Sequence, residues 1–448
     1  MDTTAIFKAY DVRGTYPDQL DERLVRAIGS AFATFVATPR VVIARDMRPS
    51  GTALAAAFAD GARAVGVEVL DLGLASTDFL YFAAGHLAIP GVMFTASHNP
   101  AQYNGVKMCL AGAKPIGVET GLVQIEALTN RFYDEPAAGP LASVAPVDLM
   151  DDWVRHVHSF VNVATLRPLR IVADTANGMG GFIAPKIFAG LPFDVEIMYE
   201  ELDGTFPHHP ADPLNPDNLR DLQRRVLEVR ADIGLAFDGD ADRVFLIDER
   251  ARPISGSTTT AMVAAAMLAR YPGSTILYNL ICSKSVPEVI AERGGVGVRT
   301  RVGHSYIKQI MAETGAVFGG EHSGHYYYRD NFCADSGIIT ALVVLELLSR
   351  ADAPLSTLAA PFERYAASGE INTEVASPAD TVAALTSLLR DRGVSVDELD
   401  GLSAEYGTWR FNLRPSNTEP LLRLNVEAPD EVTCQQHVSD VLAMIKGA

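Results

Sequence analysis

Three stretches of this chain repeat one pattern: a short apolar strand, a polar turn holding Gly or Ser, an Ala-rich helix, and a second strand. Residues 40–46 lead into a helical stretch over 52–65 and a strand at 67–70. Residues 169–174 lead likewise into 177–188 and 195–198, and residues 275–279 into 285–293 and 296–298. A unit of this kind buries its strands by laying the helix back over a sheet, which selects mostly parallel α/β architecture. Its recurrence at domain-sized intervals predicts three related mixed-sheet α/β domains in series. The last segment differs. Trp409, Phe411 and Leu413 alternate, as do Leu422, Leu424 and Val426 after a polar loop, and a helix follows over 431–445. That is a small C-terminal α+β domain. A chain of 448 residues is too long for one core. The expected domains are 1–140, 149–250, 255–352 and 368–448, with breaks at 135–148 (prolines 136, 140 and 146), 251–257 and 351–369.

Charge and composition narrow the partners. A formal net charge of −18 repels nucleic acid and anionic membrane, so neither is expected as a partner. The apolar stretch over 338–348 is too short to span a bilayer and carries Glu346. The start of the chain has neither a basic nor an apolar segment, so no signal peptide is read. Cys109, Cys282, Cys333 and Cys434 lack CxxC spacing, which fits free thiols in a reducing cytoplasm.

Two short loops carry most of the chemistry. Thr95-Ala96-Ser97-His98-Asn99-Pro100 presents a hydroxyl straight after the apolar run 91–94, with Asn99 pushed into an extended conformation by the proline ring. Lys107 follows on the next strand-like run, so a rigid polar turn lies near a cation. Asp238-Gly239-Asp240-Ala241-Asp242-Arg243 follows the apolar run 233–237 and sets three carboxylates at alternate positions. Carboxylates so close repel unless a cation neutralises them, and an all-oxygen set suits a hard divalent ion such as Mg²⁺. The spacing opens like an EF-hand, but Arg243 replaces the required glycine and strands flank the loop, so that reading is rejected. Arg243 is then free to reach a phosphoryl oxygen. A serine beside a hard cation points to phosphoryl transfer.

Three further segments and one histidine are polar enough to bind. Arg414-Pro415-Ser416-Asn417-Thr418-Glu419-Pro420 gathers a guanidinium, two hydroxyls and an amide in one stiff loop suited to docking a phosphate. Gly319-Gly320-Glu321-His322-Ser323-Gly324-His325 suits hydrogen bonding to neutral hydroxyls, as on a sugar ring. His304 is either a structural histidine or a general acid/base. Tyr10-Asp11-Val12-Arg13-Gly14 places an arginine in a turn, as a surface salt bridge also would.

Together these five motifs, in their order along the chain, resemble the α-D-phosphohexomutase superfamily over essentially the whole chain, and within it the bacterial phosphomannomutase/phosphoglucomutase group. The resemblance implies three α/β domains plus a C-terminal domain around a central cleft. It implies Ser97 as phosphoserine, with Ser97, Asp238, Asp240 and Asp242 as Mg²⁺ ligands. Arg13, Lys107 and Arg243 surround the transferring phosphate with His98, and His304 assists proton transfer. Tyr10, Glu321, Ser323 and His325 bind substrate, while Arg414, Ser416, Asn417 and Thr418 hold the non-reacting phosphate. The implied activity interconverts hexose 6-phosphate and hexose 1-phosphate through phospho-Ser97 and a hexose 1,6-bisphosphate, which also serves as activator. Small hexose phosphates are the expected partners of a monomer or weak homodimer. Phosphoglucosamine mutases tend to begin Gly-Thr-Asp-Gly-Ile-Arg-Gly, whereas residues 8–14 here read Lys-Ala-Tyr-Asp-Val-Arg-Gly and His322 replaces their Gln. Phosphoglucosamine mutase, a Mg²⁺-dependent sugar phosphatase and a non-catalytic sugar-phosphate binder are the alternatives.

Overall fold

In the computed structural model, which describes residues 3–415 and 421–447, four sheets follow one another along the chain. The first has seven strands, in the order Val12–Thr15, Tyr103–Leu110, Gly91–Phe94, Arg40–Arg45, Glu68–Leu74 and Val144–Pro146, with Lys114–Pro115 added on Tyr103–Leu110. Its Gly91–Phe94, Arg40–Arg45, Glu68–Leu74 and Val144–Pro146 strands run parallel, and Tyr103–Leu110 and Val12–Thr15 turn antiparallel at one side. The second sheet sets Ile233–Phe237, Arg170–Asp174 and Asp194–Met198 parallel, then Val244–Ile247 and Pro253–Ile254 antiparallel. The third repeats this with Val296–Thr300, Thr275–Asn279 and Phe318–Gly320 parallel, and Tyr326–Tyr328 and Ala334–Asp335 antiparallel. The fourth is wholly antiparallel, from Ala366–Glu374 to Ser395–Asp397.

One consequence positions the chemistry. In each of the first three sheets a parallel strand reverses into its antiparallel neighbour through a single loop. Those loops are 95–102, 238–243 and 321–325, at the carboxyl ends of Gly91–Phe94, Ile233–Phe237 and Phe318–Gly320. Open α/β sheets bind ligands at that end. The three loops are the motif-bearing segments.

The helices covering the first sheet show how tightly the sequence packs them. Asp21 caps helix Glu22–Val36, its carboxylate accepting from the Leu24 amide at 2.8 Å. This helix crosses Gly51–Ala64 at a pair of glycines. A Cβ at Gly29 would meet the Phe58 carbonyl at 2.2 Å, and one at Gly61 the Arg26 carbonyl at 1.9 Å.

Three segments depart from expectation. Arg13 lies on a strand, opposite Gly105, and not in a turn. The strand pairs there because Gly105 admits the Val12 carbonyl, which a Cβ at 105 would meet at 2.6 Å. The proline-rich stretch 135–148 contributes strand Val144–Pro146, an edge position where a proline needs no ladder partner. The second unit's helix begins at Gly180 and not at 177. Ala176 and Asn177 have φ of 47° and 57°, and the Asn177 side chain is engaged by the Glu201 carbonyl and His208.

Gly61→Val is expected to destabilise the first domain by about 1–3 kcal/mol through overpacking. A lower thermal midpoint by calorimetry checks this; an unchanged midpoint contradicts the close crossing.

Candidate active site

The loops 95–102 and 238–243 touch, although they come from different domains. A Cβ at Gly239 would meet the Ser97 carbonyl at 2.4 Å, so glycine is what lets the two backbones approach. Ser97 itself has φ of 49° and Ala241 has φ of 59°. Non-glycine residues held there store about 1–3 kcal/mol each, which surrounding contacts must offset. For Ser97 the contacts are visible: its amide donates to Thr95 Oγ1 at 2.9 Å and its carbonyl accepts from Arg48 at 2.8 Å.

That conformation aims the hydroxyl across the interface. Ser97 Oγ donates to Asp238 Oδ2 at 2.8 Å, and Arg243 Nε donates to the same oxygen at 2.9 Å. Lys107 Nζ lies 2.7 Å from Asp240 Oδ2 and 2.8 Å from Asp242 Oδ2. Thr77, at the start of helix Thr77–His86, grips Asp240 twice: its hydroxyl donates to Oδ2 at 2.5 Å and its amide to the carbonyl at 3.1 Å. All three aspartates are buried.

The charges respond to this confinement. Burial pushes the Asp238 carboxyl up to about 7, Arg243 pulling it down and Asp242 and Asp240 pushing it further up. Burial would also raise Asp240, but Lys107 and Thr77 outweigh it and hold that carboxyl below its usual range. Burial would lower Lys107, yet Asp240 and Asp242 hold it well above its ordinary value. His98 Nδ1 lies 3.3 Å from Ser97 Oγ and contacts the Arg243 guanidinium. That charge, then burial, then Arg13, keeps the His98 imidazole well below its ordinary pKa and therefore neutral.

The donor set fits a divalent cation. Oxygens of Asp238, Asp240 and Asp242 lie within 4.8 Å of one another. Asp240 Oδ1 and Asp242 Oδ1 are buried with no hydrogen-bond donor. Buried carboxylate oxygens left in that state are costly, and a hard cation satisfies such oxygens.

Other expected residues are distributed around this centre. Arg13 donates to Asn99 Oδ1 and to Asp11 Oδ2, each at 2.6 Å, facing the Ser97 loop from the adjoining strand. Arg243, expected to be free, is paired with Asp238, because a buried guanidinium takes the carboxylate beside it. The loop 321–325 joins the cluster directly, through a backbone bridge between His325 and Arg243. His325 Nδ1 lies 2.8 Å from Asp335 Oδ2 and 3.7 Å from Asp242 Oδ1. Glu321 is buried, accepting from Asn279 Nδ2 at 3.1 Å and from the Tyr327 hydroxyl, while Ser323 is half-buried. Tyr10 donates to the Val302 carbonyl at 3.4 Å. Burial, then Tyr306, Asp400 and Glu321, push its phenol up to about 12 against the pull of Arg414. Tyr10 therefore stands where the first, third and fourth domains converge. Arg414 donates to Glu370 at 3.0 Å. Ser416, Asn417, Thr418 and the His304 side chain lie outside the described residues.

Several participants escaped the sequence reading: Arg48, Thr77, Lys308 and Asp335. Lys308 is buried on helix His304–Thr314, 2.8 Å from Asp335 Oδ1 and 3.6 Å above the Tyr81 ring. The only local signal among them is Asp46-Met47-Arg48, a charge pair directly after an apolar strand. A cavity of about 290 Å³ between the third and fourth sheets is lined by Ser257, Arg299, His322, Arg410 and Glu427. It contains neither Ser97 nor the aspartates, and it backs onto the 321–325 loop through His322. Among the described residues no helix is long and apolar enough to cross a membrane.

Lys107→Met leaves two buried carboxylates without their cation. Breaking such a pair costs about 3–5 kcal/mol, so in chelator the variant melts well below wild type, and added Mg²⁺ recovers more stability in the variant than in wild type. Equal melting in chelator contradicts the pairing.

Comparison with known proteins agrees along the full length. Profiles of phosphoglucomutase/phosphomannomutase alpha/beta/alpha domains I, II and III match residues 4–134, 151–252 and 255–365, and the profile of the C-terminal domain matches 370–444. The chain is 40% identical over 447 residues to a Xanthomonas campestris pv. campestris protein named phosphohexose mutases, covering 98% of this chain and 99% of that protein. It is 38% identical over 437 residues to the phosphomannomutase of Escherichia coli K12, covering 95% of each. Among solved structures, a phosphoglucomutase/phosphomannomutase family protein from Burkholderia thailandensis superposes with a TM-score of 0.90 at 32% identity, covering 100% of this chain and 98% of the other.

Proposed function

The chain belongs to the phosphoglucomutase/phosphomannomutase family and is a phosphohexomutase, and we propose that it interconverts hexose 6-phosphate and hexose 1-phosphate, mannose phosphates foremost, through phospho-Ser97 and an enzyme-bound hexose 1,6-bisphosphate. One observation carries this reading: a serine hydroxyl from one domain lies 2.8 Å from the carboxylate triplet of another, ringed by Lys107 and Arg243. Mannose is favoured because relatives such as the Escherichia coli protein are named phosphomannomutase.

In the first half-reaction a sugar hydroxyl oxygen attacks the phosphorus on Ser97. The new P–O bond to the sugar forms as the P–Oγ bond breaks, and the hydroxyl proton leaves to a base, the role proposed for His304. The bisphosphate then turns over. In the second half-reaction Ser97 Oγ attacks the phosphorus at the other end, that P–O(sugar) bond breaks, and the sugar oxygen regains a proton. No phosphate is gained or lost. Free bisphosphate recharges a dephosphorylated Ser97 and so acts as activator.

Such transfers need in-line positioning and charge stabilisation more than covalent chemistry. The chain supplies both. Lys107 and Arg243, held against the aspartates in this structure, and Arg13 across the loop are proposed to meet phosphoryl oxygens. Mg²⁺ is the proposed cation, held by Asp238, Asp240, Asp242 and the Ser97 group; when bound it supplies a Lewis acid for the transferring phosphoryl. Tyr10, Glu321, Ser323 and His325 are proposed to hold the ring. Arg414, Ser416, Asn417 and Thr418 are proposed to hold the phosphate that is not reacting. The single hydroxyl of Ser97 serves both half-reactions, so the sugar must bind in two orientations.

Ser97→Ala is expected to abolish isomerisation in a coupled assay while leaving the far-ultraviolet circular dichroism unchanged; wild-type turnover would discard the mechanism. Arg414→Ala is expected to raise KM roughly 10–100-fold, the worth of a charged hydrogen bond, with little change in thermal midpoint. An unchanged KM removes the docking assignment.

A further inference from the structure

We propose that Arg48 is the positioning residue that fixes the Ser97 hydroxyl in its reactive place, an inference that rests on reading Ser97 as the phosphoryl carrier. The Arg48 side chain is fully buried, with 0% exposure. Its Nη1 donates to the carbonyls of Pro100 at 2.8 Å and Tyr103 at 2.9 Å, and its Nη2 to those of Ser97 at 2.8 Å and Asn99 at 2.7 Å. One planar guanidinium thus gathers four backbone carbonyls of the segment that carries the nucleophile. The rigid fork of arginine can hold two pairs of acceptors in fixed directions; the single ammonium of lysine cannot.

The guanidinium is itself held from behind. Arg48 Nε lies 3.3 Å from Asp46 Oδ2, and the Arg48 amide donates to Asp46 Oδ1 at 3.0 Å. The second domain seals this corner. The Phe206 ring lies 5.3 Å from the guanidinium carbon, and a Cβ at Gly204 would meet Arg48 Cα at 2.7 Å. Burial pulls the guanidinium below its ordinary pKa, while Asp46 and Asp240 pull the other way.

The cost of burying this charge is concentrated on one loop. With the Ser97 carbonyl on Arg48 and its amide on Thr95, both peptide groups flanking the serine are pinned, and only the side-chain torsion remains to place Oγ. The unusual Ser97 φ of 49° is held by these two bonds. Asn99, whose carbonyl Arg48 also holds, presents its side chain to Arg13 at 2.6 Å. Arg48 therefore sets the hydroxyl and one of the proposed phosphate-facing cations together, touching neither substrate nor phosphate itself.

The test is Arg48→Lys in the full chain, which keeps the charge and loses the fork. Displacing reacting groups by about 1 Å costs on the order of 100-fold in rate, so kcat should fall by that order with KM within about threefold. The rate of Ser97 phosphorylation by hexose 1,6-bisphosphate, followed by intact mass, should fall by the same factor, with both rates expressed per folded molecule from a denaturant titration. A role in stability alone would change the folded fraction and leave both per-molecule rates at wild-type values, which overturns the proposal. If Arg48→Lys does not fold, Asp46→Asn loosens the guanidinium's support; a lower kcat and slower phosphorylation at unchanged KM support the proposal, and wild-type rates overturn it. A wild-type protein that never takes phosphate on Ser97 overturns the phosphoserine reading and this inference together. Phosphorylation of wild type with unaffected variants overturns only the role of Arg48.

Discussion

Everything in this molecule is arranged around a contact between two loops that are 141 residues apart, the hydrogen bond from Ser97 Oγ to Asp238. Each loop is unfavourable on its own. One holds a serine in a left-handed conformation, and the other crowds three carboxylates into a buried turn. Together they become tolerable, because Lys107, Thr77 and Arg243 neutralise or donate to the carboxylates while Arg48 and Thr95 hold the serine backbone. The first domain supplies Thr77 and Lys107 to the second domain's loop, so Asp240 and Asp242 gain these partners only when the two domains are docked. Stability and the proposed chemistry share the same atoms here.

The third domain enters through the same junction. Ser336 caps helix Gly337–Arg350 and donates to Asp78 at 2.6 Å, at the start of the helix that carries Thr77. A Cβ at Gly337 would meet the Arg243 carbonyl at 2.8 Å, so this helix begins against the 238–243 loop. Lys308 and Asp335 extend the network behind His325, whose ring faces Asp242. Three sheets of the same design, each reversing direction at one loop, thereby bring three different chemistries to one place. The fourth domain meets the third where Glu427 accepts from the Lys284 amide at 2.9 Å and Arg410, paired with Glu427, donates to the Cys282 carbonyl.

Much of this was legible in the sequence, and the reason is physical. Groups that act on one ion or one phosphate tend to be clustered by a single loop, so Ser97, the aspartates and the Glu321–His325 run stand out as unusual local concentrations of polar chemistry. Apolar runs at strand length located the parallel strands. What could not be read is what tertiary structure assembles. Thr77, Lys308 and Asp335 each sit in unremarkable local surroundings: Thr77 and Lys308 acquire meaning from Asp240 and Tyr81 in other domains, and Asp335 from Lys308 and His325, which only the fold of its own domain brings beside it. Arg48 has a local carboxylate, but nothing local discloses four carbonyls waiting around it. Residues 10–14 looked like a turn because Asp and Gly flank the arginine, and only the neighbouring strand's glycine makes a ladder possible. Prolines likewise disguised Val144–Pro146, where an edge position tolerates them.

In the proposed mechanism one cation is shared between a hydroxyl from the first domain and the carboxylates of the second. Anomalous diffraction from crystals soaked in Mn²⁺, a stand-in for Mg²⁺ with similar oxygen ligands, tests it most directly. One strong peak is expected at about 2.0–2.2 Å from oxygens of Asp238, Asp240, Asp242 and the Ser97 group. A peak elsewhere, or a fully occupied site that leaves Ser97 out of its coordination, would contradict it.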